Sequence, residues 1–278
     1  MLGLNALAAQ DGPKALSAFR ESLRANPDDP FSWHFLGRAY RHEKQNKEAI
    51  TAFREAIRLK PDYAWAWEDL GYAYYVEERY KDAILAYREA VHLAPKRVDA
   101  WTYLGLSHHA EKQYEEAVTA YYEALRIRPD AAQAWFQLGQ TYFDLDRHAD
   151  AITAYREALR AEPNDAYTWM FLGVAYGRIN QWGQAEAAYR EAVRLKPDNR
   201  GAWIFLGEAY AVTGKFPEAI AAIREAIRCT PSDPQIWDYL GRLYASYGDR
   251  PHVMEVYMKL KTLDAVTADK FFREVVVP

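Results

Sequence analysis

The sequence predicts an all-α protein built from repeated helix pairs, and two patterns in the chain carry that prediction. Seven of the 9 tryptophans, eight of the 14 glycines and seven of the 13 prolines recur every 34 residues without an insertion or deletion. Within one period, apolar and small residues fall at the three- and four-residue spacings typical of one face of an α-helix. A fixed period of this length indicates a repeat array in which neighbouring helix pairs share one continuous core.

The first helix of each period is predicted from a stripe that carries the largest and the smallest side chains. In the period 132–165, Trp135, Leu138, Gly139 and Tyr142 recur at i, i+3, i+4 and i+7. Gly139 gives a neighbouring helix room to approach, and Trp135 fills the space between turns. These residues are therefore predicted to be structural core.

The second helix follows a short polar turn at 144–147. Its stripe consists of Ala151, Tyr155 and Ala158, and it ends at Pro163. Proline has no amide proton and disfavours a helical conformation at the residue before it, so the helix must end there. An Asp or Asn usually follows the proline and supplies a capping acceptor for the next helix.

These slots resemble the tetratricopeptide repeat (TPR) family, whose signature is Trp, Leu-Gly and Tyr on the first helix and Ala, aromatic, Ala and Pro on the second. The resemblance implies an all-α, right-handed TPR superhelix, or α-solenoid, over nearly the whole chain, with 1–278 forming a single solenoid. Six repeats are complete: 30–63, 64–97, 98–131, 132–165, 166–199 and 200–233. A partial repeat, 1–29, precedes them, and a degenerate repeat, 234–267, follows them.

The two ends of the array are predicted to differ from its middle. The degenerate repeat has Val253 and Leu260 in the alanine slots and Ala265 where proline belongs. Residues 265–278 are predicted to form a capping helix and tail, with Phe271, Phe272 and Val275 covering the last repeat. An apolar open end could stack against another chain, so a homo-oligomer through the terminal repeats stays an alternative.

Composition and motifs exclude several classes of function. A net charge of −4 and a pI of about 6.0 give no basic footprint for nucleic acid. No apolar run approaches the length of a membrane span. Residues 1–10 lack the basic segment of a signal peptide, so we expect none here. One cysteine, Cys229, fits a reducing compartment, so a cytoplasmic location is expected. No nucleotide-binding, hydrolase or zinc-protease motif is present. We therefore expect no catalytic residue, cofactor or metal, and no enzyme.

Function is predicted to lie in first-helix residues that do not repeat. Four positions per first helix, six and three residues before the glycine slot and one and four after it, form a second stripe on one helical face. In proteins resembling this family, that face lines a concave groove where partner segments lie. Eleven of its 28 residues here are large and apolar, which marks an interaction surface. The predicted peptide-binding groove comprises Phe31, His34, Arg38, Arg41, Trp65, Tyr72, Tyr75, His109, Phe136, Gln140, Phe143, Tyr167 and Met170.

His34, Arg38 and Arg41 form a basic cluster that could meet a carboxylate or phosphate. The lysine and asparagine clamp of the chaperone co-factor modules and the asparagine ladder of the O-GlcNAc transferase array are missing. The sequence therefore predicts a non-enzymatic scaffold that binds an unidentified protein or peptide. The alternatives are a structural assembly unit that oligomerises through its ends, a fragment of a larger repeat protein, and a groove that holds a lipid-like molecule.

Overall fold

The computed structural model describes residues 11–277, and this part of the chain contains sixteen α-helices and no strand. The helices are α1 (Gly12–Ala25), α2 (Pro30–His42), α3 (Asn46–Leu59), α4 (Ala64–Val76), α5 (Tyr80–Leu93), α6 (Val98–Ala110), α7 (Tyr114–Ile127), α8 (Ala132–Asp144), α9 (His148–Ala161), α10 (Ala166–Arg178), α11 (Trp182–Leu195), α12 (Arg200–Val212), α13 (Phe216–Cys229), α14 (Pro234–Tyr247), α15 (Arg250–Leu263) and α16 (Ala265–Phe271). A short π-helical segment, Phe272–Val276, follows α16. The predicted all-α repeat architecture is confirmed.

Each period from 30–63 to 234–267 contains one pair of helices. Of the predicted partial repeat 1–29, α1 is the second helix, while residues 1–10, including the Gly3 slot, lie outside the described residues. The chain clusters into two compact units, unit 1 (1–141) and unit 2 (142–278). Within unit 1 each helix from α1 to α7 packs against the next, and within unit 2 the same holds from α9 to α16.

The glycine slot of the first helix is a place of close contact within a helix pair. A Cβ added to Gly37 would lie 2.5 Å from Cε1 of Phe53, and one added to Gly173 would lie 2.5 Å from Cε1 of Tyr189. Phe53 is fully buried and Tyr189 is almost so. Glycine therefore recurs because the ring of the second helix rests directly on the backbone of the first.

The tryptophan and proline slots are joined by a hydrogen bond that sequence reasoning missed. In all seven repeats the indole Nε1–H donates to the carbonyl oxygen of the proline six residues earlier, at 2.8–2.9 Å. Each tryptophan is half-buried, not fully buried as a pure core residue would be. Its ring packs against the core while its polar edge ties the inter-repeat turn, which is the amphipathic use that suits this side chain.

The turn inside each helix pair contains one residue with a left-handed backbone. These residues again recur every 34 positions: Lys44, Glu78, Lys112, Asp146, Asn180, Gly214 and Gly248, with φ between 57° and 84°. Only the last two are glycines, the residue that adopts this conformation without strain. The first five carry a steric cost of about 1 kcal/mol each, which the helix contacts on both sides must offset.

The C-terminal end of unit 2 is built differently from the repeats before it. Phe271 of α16 is fully buried and fills the space above Gly241 that the second-helix ring occupies elsewhere. Tyr257, which holds that ring slot in the sequence, instead packs against Phe272 with ring centroids 5.0 Å apart. The terminal helix thus inserts an aromatic ring into the last pair, whereas Phe272 itself remains partly exposed.

Candidate functional site

Two half-exposed aromatic side chains of unit 1 carry a cation over one ring face. Phe31 on α2 is 46% exposed and Trp65 on α4 is 56% exposed, and both occupy the first position of the predicted stripe. Lys60 Nζ lies 5.2 Å from the centroid of Phe31, and the Arg97 guanidinium carbon lies 3.4 Å from that of Trp65. Arg97 also forms an ion pair with Glu68. Each ring is therefore fixed by a cation and keeps exposed surface for a partner.

Unit 2 repeats this arrangement on α10. Tyr167 is 49% exposed, and Lys196 lies over its ring at 4.7 Å while donating a hydrogen bond to its hydroxyl at 3.0 Å. One turn along the helix, half-buried Met170 meets the Asn199 side chain, with Sδ 3.8 Å from Nδ2. A flexible thioether beside an exposed aromatic ring suits the accommodation of apolar side chains from a partner.

The three predicted basic residues surround one carboxylate. Asp69, on the next first helix, accepts a hydrogen bond from His34 Nε2 at 2.7 Å and one from Arg41 at 2.5 Å, with Arg38 at 4.0 Å. The side chains of His34 and Asp69 are only 3% and 17% exposed. The other ring nitrogen of His34 hydrogen-bonds to the hydroxyl of Tyr63 at 2.9 Å. His34 is therefore an interior residue with both ring nitrogens hydrogen-bonded.

Electrostatics in this cluster follow from its burial and its charges. Burial by itself raises the pKa of Asp69, but the hydrogen bond from His34 and the charges of Arg41 and Arg38 outweigh it, so the pKa is lowered. Burial, with the nearby charge of Asp69, raises the pKa of Tyr63. Arg38 is the most exposed member, with 45% of its side chain accessible. Of the predicted basic cluster, Arg38 is thus the residue best placed to meet a partner.

A cluster of tyrosines lies beside these residues in unit 1. The ring of Tyr103 meets those of Tyr72 and Tyr75 edge-on, with centroids 5.4 and 5.9 Å apart, and stacks on Tyr87 at 5.9 Å. Burial raises the pKa of Tyr75 and Tyr103, and the neighbouring tyrosines add to that shift. Arg41 lies 5.0 Å above the ring of Tyr72, which joins the tyrosines to the Asp69 cluster.

The slot two residues before each glycine explains why Asp69 stands out. In four other first helices this slot holds an aromatic ring that stacks on the preceding second helix, in the pairs Phe35–Phe19, Tyr103–Tyr87, Phe171–Tyr155 and Phe205–Tyr189, with centroids 5.6–6.2 Å apart. Asp69 replaces that ring with a carboxylate. The basic residues of the preceding first helix then gather around it.

The remaining predicted residues fall into two groups. In unit 1, His109, Phe136 and Gln140 are all half-buried, and His109 packs edge-on against Tyr114 at 5.3 Å. In unit 2, Phe143 is half-buried and lies 4.9 Å from the ring of His148 and 5.7 Å from the guanidinium of Arg178.

Glu208 on α12 is an unpaired acidic residue on the stripe that the predicted site did not include. It lies on the same helical stripe, one residue after Gly207, and none of the described side chains forms an ion pair or hydrogen bond with it. Its side chain is largely exposed, but partial desolvation of the carboxylate by the surrounding residues raises its pKa. Burial and the charge of Glu208 together raise the pKa of Tyr239 to about 12. Unit 2 thus holds an unpaired carboxylate on the face that carries Tyr167 and Met170.

Comparison with known families establishes the class to which this helical repeat fold belongs. The model of the cilia and flagella-associated protein 70 C-terminal domain, a TPR domain, matches residues 107–268, more than half of the chain. Two further models, described as TPR repeat and tetratricopeptide repeat, match residues 37–77 and 68–132. The chain belongs to the tetratricopeptide repeat family, as the sequence predicted. It is therefore a scaffold of a non-catalytic family whose members bind other proteins.

Solved structures share the fold at low sequence identity. The C-terminal part of a TPR repeat-containing protein from Cytophaga hutchinsonii aligns with a TM-score of 0.72 at 14% identity, covering 84% of this chain and 96% of that one. YrrB, described as a TPR protein with an unusual peptide-binding site, aligns with a TM-score of 0.59 at 21% identity over 68% of this chain and 97% of that one. MamA aligns with a TM-score of 0.57 at 24% identity over 60% and 98%. No curated protein sequence gives a significant match.

The membrane prediction can be checked directly on the helices. Within residues 11–277, no helix combines the length and the apolar character needed to cross a bilayer.

Proposed function

We propose that this chain binds an extended or helical segment of a partner protein along the predicted first-helix stripe. The single observation that carries the proposal is the repeated pairing of a half-exposed aromatic ring with a cation, at Phe31 and Trp65 in unit 1 and Tyr167 in unit 2. Aromatic rings already held in place lose little conformational entropy when they contact a partner. Such rings are the side chains most often responsible for binding energy at interfaces.

The partner segment suits this surface when it carries apolar side chains flanked by acids. The exposed rings accept apolar groups, and the cations of Lys60 and Lys196 lie over the rings of Phe31 and Tyr167. Arg38 adds an exposed cation on the same stripe. The unusual peptide-binding site named for YrrB supports a peptide ligand, because that protein shares the fold. A cytoplasmic location and the absence of nucleic-acid binding remain part of this proposal.

The experiment is selection of a random peptide library displayed on phage against the intact chain, followed by titration of the selected peptides. Trp65→Ala removes the exposed ring of unit 1, and Tyr167→Ala removes that of unit 2. Leu85→Ala is the matched control, because Leu85 is an exposed apolar residue on the second helix α5, away from the stripe. We expect at least one stripe variant to weaken binding by about tenfold, the loss typical of an aromatic contact residue. Equal affinity for all three variants would reject the stripe as the binding face.

A second function, assembly through the C-terminal end, is favoured by one observation. Met254 and Met258 on α15 are exposed one helical turn apart, and Val266 on α16 is 79% exposed. The slot of Met254 holds a buried isoleucine at Ile50, Ile84 and Ile220. Light scattering against protein concentration tests this function: a rising mass that Met254→Glu/Met258→Glu abolishes supports it, and a constant mass of one chain removes it.

A further inference from the structure

A cleft of about 320 Å³ lies among α13, α14 and α15 of unit 2. Its aromatic wall consists of Trp237 and Tyr244, which are the core tryptophan and tyrosine of the last repeat. Its charged lining consists of Arg224, His252, Glu255 and Lys259. None of these residues belongs to the first-helix stripe of the proposed peptide site, so the cleft is a separate feature of the molecule.

Two of the lining residues break the charge pattern of the earlier repeats, in which one slot is always acidic and the other is acidic in five of six. The slot of Lys259 holds glutamate in all six complete repeats: Glu55, Glu89, Glu123, Glu157, Glu191 and Glu225. The slot of His252 holds Glu48, Asp82, Glu116, Asp150, Gln184 and Glu218 in the same repeats. The last repeat therefore replaces acidic residues with basic or titratable ones at both slots.

This replacement changes the charge at the two slots of His252 and Lys259. In repeat 64–97 these slots hold Asp82 and Glu89, two negative charges. In the last repeat they hold the cation of Lys259 and the imidazole of His252. The nearby carboxylates are Glu255, which lines the cleft, and Asp249, which is hydrogen-bonded to His252.

The cation at Lys259 also lacks the partner that earlier repeats provide. In repeat 200–233, Glu225 is paired with Arg228 three residues later, at 2.8 Å. The last repeat has Thr262 in the arginine slot. Among the residues that the structure describes, Lys259 forms no ion pair, and its Nζ lies 5.8 Å from the ring centroid of Trp237.

The other basic groups are held in place by aromatic contacts. Arg224 donates a hydrogen bond to the hydroxyl of Tyr244 at 2.5 Å, and its guanidinium lies 5.7 Å from the same ring. The imidazole of His252 also stacks on Tyr244, with the ring planes within 13° of parallel and the centroids 4.7 Å apart. Asp249 holds Nδ1 of His252 at 2.7 Å. The donors are therefore fixed before any ligand arrives, which lowers the entropy lost on binding.

We propose that this cleft binds an acidic side chain from a segment of a partner protein, with the carboxylate held by Arg224 and Lys259 and the adjoining apolar atoms against Trp237. Charge complementarity selects an anion, because Lys259 offers a cation where earlier repeats hold glutamate, beside the arginine that Arg224 shares with most of them. The small volume of the cleft fits one or two side chains and excludes a folded domain. Glu255 adds a negative charge at the rim, so binding depends on both cations.

The test uses fluorescein-labelled peptides and fluorescence anisotropy with the intact chain. One peptide alternates glutamate pairs with leucine, and the second replaces every glutamate with lysine. The variant His252→Glu/Lys259→Glu/Thr262→Arg installs the residues found at Glu218, Glu225 and Arg228, which the same helix surface already accepts one repeat earlier. Lys47→Glu is the matched control: Lys47 is exposed on α3, and its replacement changes the net charge of the chain by −2, as the triple variant does.

We expect the glutamate peptide to bind the wild type and the Lys47→Glu control alike, and the triple variant about tenfold more weakly, the effect of losing one charge-assisted hydrogen bond. The Kd of the glutamate peptide for the wild-type chain should rise with salt, because the interaction is ionic. Equal affinity of the triple variant, or equal binding of the lysine peptide, overturns the proposal. Absence of measurable binding of the glutamate peptide also overturns the proposal, and direct binding of inorganic phosphate by the wild type in that case points to a free anion as the ligand. Trp65→Ala should leave this binding intact, which separates it from the stripe.

Discussion

Asp69 in unit 1 and Glu208 in unit 2 are carboxylates on equivalent first helices, two residues before and one residue after the glycine slot, and their surroundings are opposite. Asp69 is held by His34, Arg41 and Arg38, and its pKa is lowered. Glu208 has no such partner among the described side chains, and partial desolvation raises its pKa. One unit has therefore neutralised its carboxylate internally, whereas the other presents a carboxylate that a cation could stabilise.

The difference begins with one slot. Where unit 1 places Asp69, unit 2 places Phe205, which stacks on Tyr189 with centroids 5.7 Å apart. Where unit 1 places His34, unit 2 places Met170, which packs in the same cluster as Phe205. A histidine–aspartate pair in unit 1 and a methionine–phenylalanine pair in unit 2 thus fill the same two positions between neighbouring helix pairs. The repeat frame fixes where these pairs lie, and the residues chosen decide whether the surface is polar or apolar.

The largest expected effect comes from removing the carboxylate of unit 1. Asp69→Ala leaves the buried His34 without its acceptor and Arg41 without its ion pair, and should reduce stability by about 2–4 kcal/mol. The measurement is urea unfolding, with hydrogen exchange of the α4 amides as the local readout. The loss should shrink as the pH falls below about 4, because a carboxylate with a lowered pKa stabilises the fold only while ionised.

A paired variant sharpens this test. His34→Met/Asp69→Phe copies Met170 and Phe205, so both the donor and the acceptor disappear and an apolar contact replaces them. We expect stability close to that of the wild type, as is common when well-packed apolar residues replace a buried polar pair. A double variant as unstable as Asp69→Ala would contradict the view that the two pairs are equivalent solutions.

The second effect comes from placing the aspartate of unit 1 at the equivalent position of unit 2. Phe205→Asp removes the stack on Tyr189 and places a carboxylate beside Met170, with no basic residue at the slot that His34 fills in unit 1. It should destabilise unit 2 by about 2 kcal/mol, the cost of an unmatched polar group in a packed cluster. Phe205→Tyr, which keeps the ring, is the control, measured by the same unfolding curves. A neutral Phe205→Asp would show that the slot tolerates charge without partners.

Much of this architecture could be predicted from the sequence because the period fixes it. The Leu-Gly slot, the aromatic slot of the second helix and the proline each recur at one spacing, so their packing roles follow from helical geometry alone. The exposed rings at Phe31, Trp65 and Tyr167 were also predicted, as members of a face rotated away from the core.

The rest depends on contacts that no local pattern encodes. The residue pairs His34–Asp69 and Arg97–Trp65 are 35 and 32 residues apart, and each needs the position of a neighbouring helix to be known. The left-handed turn at Lys44 and Glu78 had no glycine to signal it. The repeated residues predict the helices and their packing, whereas the ion pairs and cation–π contacts depend on residues that differ between repeats.

The third prediction tests whether the glycine slot of the repeat is a close contact between the two helices of a pair. A methyl group on Gly173 would meet the ring of Tyr189, and the crowded contact should cost Gly173→Ala about 1–2 kcal/mol. Gly183, near the start of α11, has open space around its Cβ position, so Gly183→Ala should be neutral or slightly stabilising. Thermal unfolding of the two variants in parallel measures the contrast, and equal shifts would mean that the glycine slot is not a close contact.

The smallest expected effect concerns Glu208. A carboxylate whose pKa is raised in the folded chain opposes folding once it ionises, so Glu208→Gln should stabilise the protein slightly at neutral pH, by about 0.5 kcal/mol for an exposed position. The gain should vanish below the ordinary pKa of glutamate, where the carboxyl is protonated in both folded and unfolded chains. The sign is opposite to that of Asp69→Ala, although both effects fade as the pH falls and the carboxylates are protonated. Urea unfolding at neutral and acidic pH checks both, and a destabilised Glu208→Gln would mean that a cation already holds this carboxylate in solution.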